Sequence, residues 1–310
     1  MGIVNKLFKW FSGKDQSNQE IQVGYVLEHE PKTTEDIRKV FEAFKLTNYF
    51  EMIKPLVRPV IKLDLTPQDE PDFRLPESKI GGRPALGKMQ KWPLNDEGIP
   101  LSFIGQLNLA EMKPFDSEGR LPENGLLSFF YCGDQDVWGF DPDDKDHFKV
   151  LFTEDLNDLE IKDFPEDLNP EGVFLPNKID FEATLSIPGW DHDTIEGLID
   201  EDDYESYSEA ARGFDNQVFG YANVIQGEME LECQLVTNGL NCGDETGYND
   251  PRRKELEQDK DDWVLLLQVD SEEEKTGMLW GDCGRIYFWI KKQDLTKKNF
   301  DQVWCILQCY

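Results

Sequence analysis

The chain has 310 residues, of which 39% are hydrophobic and 12% aromatic, so it is long enough to bury a sizeable core. It carries 63 acidic and 32 basic residues, which gives a formal net charge of −31 at pH 7. This charge disfavours contact with nucleic-acid phosphates and favours cationic partners, such as a basic protein surface or a metal ion. The sequence has no apolar run of about 18 residues that could span a membrane.

The N-terminal residues have a pattern of their own. Residues 1–14 place apolar side chains on one helical stripe, together with Lys6, Lys9 and Lys14 and without an acidic residue. This pattern predicts a short basic amphipathic helix in weak contact with a membrane surface; the alternative is a helix that docks on protein. Polar residues follow, so we assign residues 1–20 to an amphipathic segment and linker, and 21–310 to one domain.

Hydrophobic periodicity predicts the first elements of that domain. A helix is predicted to begin at Thr33 or Thr34, where apolar residues start to recur at helical spacing, and a short helical piece precedes Pro55. Apolar alternation or runs bounded by turn residues predict strands. The predicted strands are residues 60–65, 101–109, 126–132, 137–140, 148–152, 179–187, 263–270, 285–290 and 303–310. An acidic helix is predicted over residues 194–212, and a last short helix over 295–302.

Two stretches of the chain share one layout: a Gly-containing turn, an apolar strand with a glutamine near its end, a loop, and an aromatic-rich strand. Phe129 lies 23 positions after Gln106, and Phe288 lies 20 positions after Gln268. This match predicts an internal duplication, in which two similar tandem halves form one pseudo-twofold α+β body with mainly antiparallel β structure. The predicted parts are a first half at 57–153, an acidic bridge at 154–212 and a second half at 213–310.

Short motifs follow one another in a fixed order from about residue 35 to the C-terminus. In the first half they are Gly81-Gly-Arg-Pro84, Trp92-Pro93, Pro100-Leu-Ser-Phe-Ile-Gly-Gln106, Leu121-Pro122, Gly125-Leu-Leu-Ser-Phe-Phe130 and Trp138-Gly-Phe-Asp-Pro-Asp143. In the second half they are Gly220-Tyr221, Ile225-Gln-Gly227, Leu265-Leu-Leu-Gln268, Trp280-Gly-Asp-Cys-Gly284, Tyr287-Phe-Trp289, Asp294-Leu295, Val303-Trp304 and Gln308-Cys-Tyr310. The chain therefore resembles the YwqG-like family of bacterial proteins. The resemblance implies a domain of uncharacterised function with a mixed, mostly antiparallel fold of two similar halves, and it supplies no catalytic residues.

Aromatic and amide side chains of the two halves are candidates for a ligand-binding cleft between them. The candidates are Trp92, Gln106, Trp138, Gln226, Gln268, Trp280 and Asp282. The alternative for the tryptophans is packing in the core. Asp282 stands between glycines beside Trp280, where it is a candidate acid–base group or, alternatively, part of an Asx-type turn.

One turn is dense in carboxylates and is the candidate metal site. Asp141, Asp143, Asp144 and Asp146 supply the oxygen ligands that Ca²⁺ or Mg²⁺ prefers. The spacing departs from the EF-hand loop, because Asp146 stands where that loop has glycine. The alternative is an ordinary Asp- and Pro-containing turn, and no other cofactor is predicted.

Catalytic patterns are poorly represented. The chain has three histidines, no G-x-S-x-G elbow, no phosphate-binding glycine loop and no C-x-x-C pair among its six cysteines. We expect free thiols in a reducing cytoplasm. The sequence favours a non-catalytic acidic interaction protein, with neutralisation of a basic protein partner as one form of that function. The alternative is an enzyme of unknown reaction that uses carboxylates in the cleft between the halves.

Overall fold

The computed structural model describes residue 24 and residues 29–310. The chain divides into two compact units. The small unit comprises Met1–Arg58 and Thr184–Arg212, and the large unit comprises Pro59–Ala183 and Gly213–Tyr310. The predicted amphipathic helix and linker lie outside the described residues. In the described part, no helix is long and apolar enough to cross a membrane.

Within residues 29–310 the helices are short. The α-helices are α1 (Thr34–Ala43), α2 (Phe50–Ile53), α3 (Leu109–Met112), α4 (Tyr204–Ala210), α5 (Glu230–Val236), α6 (Glu245–Asn249), α7 (Arg253–Leu256), α8 (Glu273–Thr276) and α9 (Lys292–Thr296). Short 3₁₀ helices lie at Lys54–Leu56, Glu70–Asp72, Pro142–His147, Leu156–Asp158, Pro170–Gly172, Glu201–Asp203, Glu257–Asp262 and Phe300–Gln302.

Helix α1 begins where the sequence predicts. The Thr33 hydroxyl accepts the Asp36 N–H at 3.2 Å, and the Asp36 carboxylate accepts the Thr33 N–H at 3.0 Å, which forms a capping box. Hydrogen bonds from Thr33 and then Lys39 lower the pKa of Asp36 to about 2. The cap therefore fixes the first turn of α1 and directs Ile37 and Phe41 into the core of the small unit.

That core is built from both chain segments of the small unit. Ile37 and Phe41 of α1 pack with Ile195, Ile199 and Tyr207 of the second segment, and all five side chains are buried. The rings of Phe41 and Tyr207 meet edge-on at 6.3 Å. Removal of these apolar side chains from water holds the second segment against α1.

The large unit is organised by one mostly antiparallel sheet of ten strands, and the mixed helix-and-sheet class predicted from the sequence is confirmed. The strands are β1 (Arg58–Pro67), β2 (Lys79–Ile80), β3 (Ala85–Gly87), β4 (Ser102–Asn108), β5 (Leu126–Tyr131), β6 (Phe148–Thr153), β7 (Leu159–Ile161), β8 (Asn177–Ser186), β9 (Gln217–Phe219), β10 (Trp263–Asp270), β11 (Arg285–Lys291) and β12 (Trp304–Gln308). Their order in the sheet is β12-β11-β10-β9-β1-β8-β2-β4-β5-β6, and β3 pairs with β7 separately.

Aromatic contacts link distant strands of this sheet. Phe129 of β5 meets Phe288 of β11 with ring centroids 5.1 Å apart. The two end strands are also close, since Phe148 of β6 contacts Trp304 of β12 at 5.1 Å. The sheet therefore curls around one apolar core, and its ends approach each other at a seam between β6 and β12.

Some predicted elements differ from the structure. Residues 137–140 do not form a strand, because Gly139 has a φ of +83°. The segment lies instead along the outer edge of β12, where the Leu307 N–H donates to the Trp138 carbonyl at 3.1 Å. The acidic helix predicted over 194–212 is confined to α4, because successive turns bury Ile195 and Ile199 without a continuous helix. The last predicted helix is divided into α9 and a 3₁₀ turn.

All six cysteines lie in the described part and are free thiols.

Candidate functional site

Gln106 holds a tight turn that follows β2. Its side-chain oxygen accepts the Ala85 N–H at 2.9 Å, and its amide N–H donates to the Glu77 carbonyl at 2.7 Å. The turn between these two residues contains Gly81 and Gly82, with φ of +70° and +71°. A buried glutamine thus satisfies backbone groups on both sides of a left-handed turn.

Gln268 does the same at a turn that follows β9. Its side-chain oxygen accepts the Asn223 N–H at 2.9 Å, and its amide donates to the carbonyls of Phe214 at 2.6 Å and Asp215 at 2.9 Å. This turn contains Phe219 and Gly220, with φ of +64° and +72°.

The two glutamines also occupy equivalent places in the strand register. Gln106 lies opposite Lys79 of β2, and Gln268 lies opposite Gln217 of β9. Each strand pair has one irregularity just before the glutamine, between Phe103 and Gly105 in β4 and between Leu265 and Leu267 in β10. Their contact with a ligand stays a prediction, and both amides already bond to the backbone.

Two further predicted residues lie at the Gly281–Gly284 turn. The Trp280 ring is buried against Tyr131 at 5.9 Å and Phe174 at 5.5 Å, and its indole N–H has no hydrogen-bond partner among the described residues. The Asp282 side chain is exposed, and its backbone carbonyl accepts the Tyr310 N–H at 3.3 Å. Trp280 is therefore a core residue, and Asp282 stands on the surface of a turn.

Gln226 and Trp138 are surface residues whose backbones are tied to β12. The Gln226 N–H donates to the Gln308 side-chain oxygen at 3.1 Å, and the same oxygen accepts the Ile225 N–H at 2.9 Å. The Trp138 carbonyl accepts the Leu307 N–H, while its ring is exposed. Gln308 was missed by sequence reasoning, although its position near the end of an apolar strand matches that of Gln106 and Gln268.

A buried ion pair lies beside the second turn and was also missed. Arg285 Nε lies 3.1 Å from Asp270 Oδ1, and Arg285 donates to the Asn223 carbonyl at 3.2 Å. Burial raises the pKa of Asp270 to about 6, against the opposing effect of Arg285. The Tyr287 hydroxyl donates to the same Asn223 carbonyl at 2.8 Å. The Asp270 carboxylate is therefore engaged by Arg285, although Arg285 Nε itself makes no hydrogen bond to a described residue.

The candidate metal turn uses its carboxylates as caps. Asp141 Oδ1 accepts the Asp143 N–H at 3.0 Å, and Asp144 Oδ2 accepts the Gly139 N–H at 2.8 Å. Burial raises the pKa of Asp144. In the described part of the chain, no group of three or more His, Cys, Asp or Glu side chains is arranged to hold a metal ion. The calcium or magnesium site stays a prediction. Asp146, with Trp92, instead lines a cavity of about 280 Å³ in the large unit.

The largest concentration of charge is on the small unit. Residues 191–209 contain nine acidic residues and neither Lys nor Arg. We call this stretch the acidic face. Two large apolar side chains are exposed within it, Leu198 with 40% and Tyr204 with 48% of their surface accessible. The Trp190 ring supports Tyr204 edge-on at 5.0 Å.

The acidic face is fixed from beneath. Ile195 and Ile199 are buried in the small-unit core, whereas Asp191, Glu196, Asp202 and Glu205 are exposed. The buried Tyr49 hydroxyl bonds to Asp203 at 2.7 Å and to Asp200 at 3.1 Å. The hydrogen bond to Asp203 raises the pKa of Tyr49. These contacts hold two carboxylates of the face in fixed positions.

Comparison with known protein families assigns the chain to one of them. No curated protein is similar enough to the chain to count as a match. The family described as "Domain of unknown function (DUF1963)" matches residues 78–309, which is more than half of the chain and includes both glutamine-held turns. The YwqG-like proteins belong to the same family, so the resemblance of the motifs is confirmed. The chain is a member of the DUF1963 family.

Proposed function

We propose that this protein is a non-catalytic binding protein whose acidic face engages a basic protein partner. The observation that carries the proposal is a stretch of nine acidic residues without Lys or Arg that also exposes Tyr204 and Leu198. Surrounding carboxylates attract Arg and Lys side chains and accelerate encounter, and an exposed tyrosine supplies an aromatic anchor for a cation. Charge and anchor together suit a basic segment that carries arginine.

Helix stability alone explains only part of this charge. Glu201, Asp202 and Glu205 lie near the start of α4, where negative side chains complement the helix dipole. Asp191 and Glu196 lie several residues before that helix and gain nothing from its dipole, because the effect falls off within the first turn. Their exposure on the same stretch favours a role in binding.

The support beneath the face also favours binding. Tyr49 fixes Asp200 and Asp203, and the buried Ile195 and Ile199 fix the turns between them. A surface that is ordered before the partner arrives loses less conformational entropy on association than a flexible one. The fixed face therefore suits recognition better than a merely solvated acidic loop.

We also propose that the body of the protein arose by internal duplication. Gln106 and Gln268 make equivalent backbone bonds, at equivalent register, beside paired residues of positive φ. Phe129 and Phe288, the other matched pair, touch each other in the core. These matches support two similar halves, and the acidic face lies in neither of them.

A carboxylate enzyme has less support. Asp282 stands exposed on a turn, and Asp141 and Asp144 accept backbone hydrogen bonds that cap the Pro142–His147 turn. A general acid or base needs a site where substrate and catalytic group converge. The described positions of these residues therefore favour binding over catalysis.

The test titrates the full-length protein with a labelled peptide of lysines and arginines and compares two triple variants of equal charge. The face variant is Glu196→Gln/Asp202→Asn/Glu205→Gln, and the control is Glu255→Gln/Asp259→Asn/Glu274→Gln, all at exposed positions. We expect the face variant to weaken binding at least tenfold and the control less than twofold, because close charges are screened less than distant ones at physiological salt. Equal losses in both variants would show that only the net charge matters and would overturn the proposal.

The aromatic part is tested separately. Tyr204→Ala keeps the charge and removes the exposed ring. We expect about fivefold weaker binding of the arginine peptide, in line with a cation–π contact of about 1 kcal/mol. An unchanged affinity would show that the Tyr204 ring does not take part in binding the peptide.

A further inference from the structure

A second surface of the molecule is locally positive, in contrast to the acidic face. It is the cavity of about 280 Å³ in the large unit, which lies at the seam between β6 and residues 300–303. One wall is Trp92, whose indole N–H donates to the Leu101 carbonyl at 2.8 Å and whose ring meets Phe130 edge-on at 5.6 Å. Both contacts fix the ring in place, so the wall is preformed.

Lysines outnumber acids around this cavity, although the whole chain has about twice as many acids as bases. Lys91, Lys145 and Lys149 line it, against Asp146 and Asp301. Lys149 is paired with Asp301 at 2.5 Å. Lys91 and Lys145 have no ion-pair partner among the described residues. Asp146 opposes them in part, so three lysines against two aspartates leave the lining with a net charge of +1. Charges farther away than about 8 Å are largely screened at physiological salt.

Apart from Gln90, the rest of the lining is apolar, and the cavity is partly open to solvent. Phe148, Val150 and Phe300 contribute to the lining, and all three belong to the large-unit core. Leu94 also lines the cavity and has 53% of its surface exposed. The cavity therefore combines an apolar wall with charged and polar groups, and small-molecule sites use such groups to orient a ligand.

We propose that this cavity binds a small organic carboxylate with a flat apolar body. The apolar body would lie against Trp92 and Leu94, and the carboxylate would bond to Lys91 and Lys145. The volume is close to the lower end of ligand pockets, about 300 Å³, so the ligand is of bicyclic size or smaller. This proposal is independent of the acidic face, which lies in the small unit.

An added peptide strand fits the cavity less well. β6 is the last strand at one end of the sheet and is in principle open to strand addition. The Lys149–Asp301 ion pair and the contact of Phe152 with Phe300 at 5.2 Å both cross the gap beside it. A new strand needs about 4.8 Å of spacing from β6, so it would have to break both contacts.

The experiment uses the full-length protein with 2-naphthoate and its neutral analogue 2-naphthamide as probes. Binding is followed by NMR through the Trp92 indole N–H, which is assigned with Trp92→Phe. We expect 2-naphthoate to shift this signal saturably and to bind at least tenfold more tightly than 2-naphthamide. Equal affinities would overturn the role of the lysines, and an unmoved Trp92 signal would overturn the site.

Two variants distinguish the carboxylate contact from general charge. The double variant Lys91→Gln/Lys145→Gln should weaken the binding of 2-naphthoate at least tenfold and leave the affinity for 2-naphthamide unchanged. Lys254→Gln, an exposed lysine on α7, should change neither. If an acidic peptide displaced 2-naphthoate and broadened the β6 amide signals, strand addition would replace the small-ligand proposal. An unchanged naphthoate affinity in the double variant would also refute it.

Discussion

The two glutamine-held turns of the large unit share a backbone plan and differ in the charges built around it. At the first turn, Lys79 is 1% exposed and its ammonium lies 2.5 Å from Glu70. Burial lowers the pKa of Lys79, and Glu70 opposes that change. At the second turn, the place of Lys79 is taken by Gln217, whose amide donates to the Phe219 carbonyl at 2.7 Å. The same strand position thus accepts a buried charge or a neutral amide.

The second turn has its own ion pair at a different position. Arg285 and Asp270 face each other at the start of β11 and the end of β10, where the first region has Leu126 and Asn108. Because the glutamine bonds recur while the charges do not, the amides define the fold of each turn and the ion pairs are local additions. A buried ion pair is in any case weak evidence for stability, since desolvation offsets much of its attraction.

The chain also diverges after each turn. After the first, it continues to Trp92 and a hairpin with the exposed Leu94. After the second, Gln308 fixes the chain to β12 through the Ile225 and Gln226 N–H groups. The cavity proposed as a ligand site therefore belongs to the first region alone.

The largest effect should come from removal of the glutamines themselves. Gln268→Ala breaks three backbone hydrogen bonds and Gln106→Ala breaks two, and both leave buried groups unpaired. We expect losses in the free energy of unfolding of about 4 kcal/mol for Gln268→Ala and about 3 kcal/mol for Gln106→Ala. Urea unfolding of each variant measures both values.

Gln258→Ala is the matched control, because this glutamine is exposed and makes one long bond of 3.3 Å. It should change the free energy of unfolding by less than about 0.5 kcal/mol. A loss for Gln106→Ala or Gln268→Ala as small as that of the control would show that the turns do not depend on the amides.

The ion pair of the second turn predicts a pH dependence of stability between pH 4 and pH 7. Burial raises the pKa of Asp270 to about 6, above about 3.9 in an unfolded chain. The folded state therefore favours the protonated form, and this contribution to stability is complete below pH 4 and lost as the pH rises through 6. Wild type should lose about 2 to 3 kcal/mol relative to Asp270→Asn between pH 4 and pH 7.

Urea unfolding of both proteins at pH 4, 5, 6 and 7 measures that difference. Loss of the Arg285 contact in Asp270→Asn adds an offset, so the informative quantity is the slope with pH. A difference that stays constant over this range would contradict the raised pKa.

Local patterns in the sequence identify the repeated layout but not what it does. Gln106 and Gln268 stand out because each ends an apolar run, yet their backbone partners follow only from the turns that fold over them. The Arg285–Asp270 pair depends on the irregularity in β10, which shifts the register and has no clear mark in the sequence. Side-chain alternation predicts a strand, but it does not fix the partner residue across the sheet.

The two proposed sites also differ in how far the sequence alone predicts them. The acidic face is contiguous in the chain, so composition alone indicates it, although the helix predicted over residues 194–212 is confined to α4. The cavity joins Trp92, Lys145 and residues near 300, which are far apart in the chain. They meet only because the ends of the sheet approach each other, and no local pattern encodes that closure.

The smallest expected effect separates backbone strain from packing at the second turn. Phe219 has φ of +64° where the first turn has Gly81, and its ring is buried under Arg120 at 3.7 Å. Phe219→Ala and Phe219→Gly both remove the ring, so they differ in the cost of a Cβ at positive φ and, in the opposite direction, in the larger unfolded-state entropy of glycine. We expect the glycine variant to be about 1 kcal/mol more stable than the alanine variant in urea unfolding. The opposite order would show that the backbone at Phe219 is not left-handed.

At Gly81 an added Cβ would also lie 2.1 Å from the Leu175 carbonyl oxygen. Gly81→Ala should therefore lower the free energy of unfolding by more than the backbone strain alone.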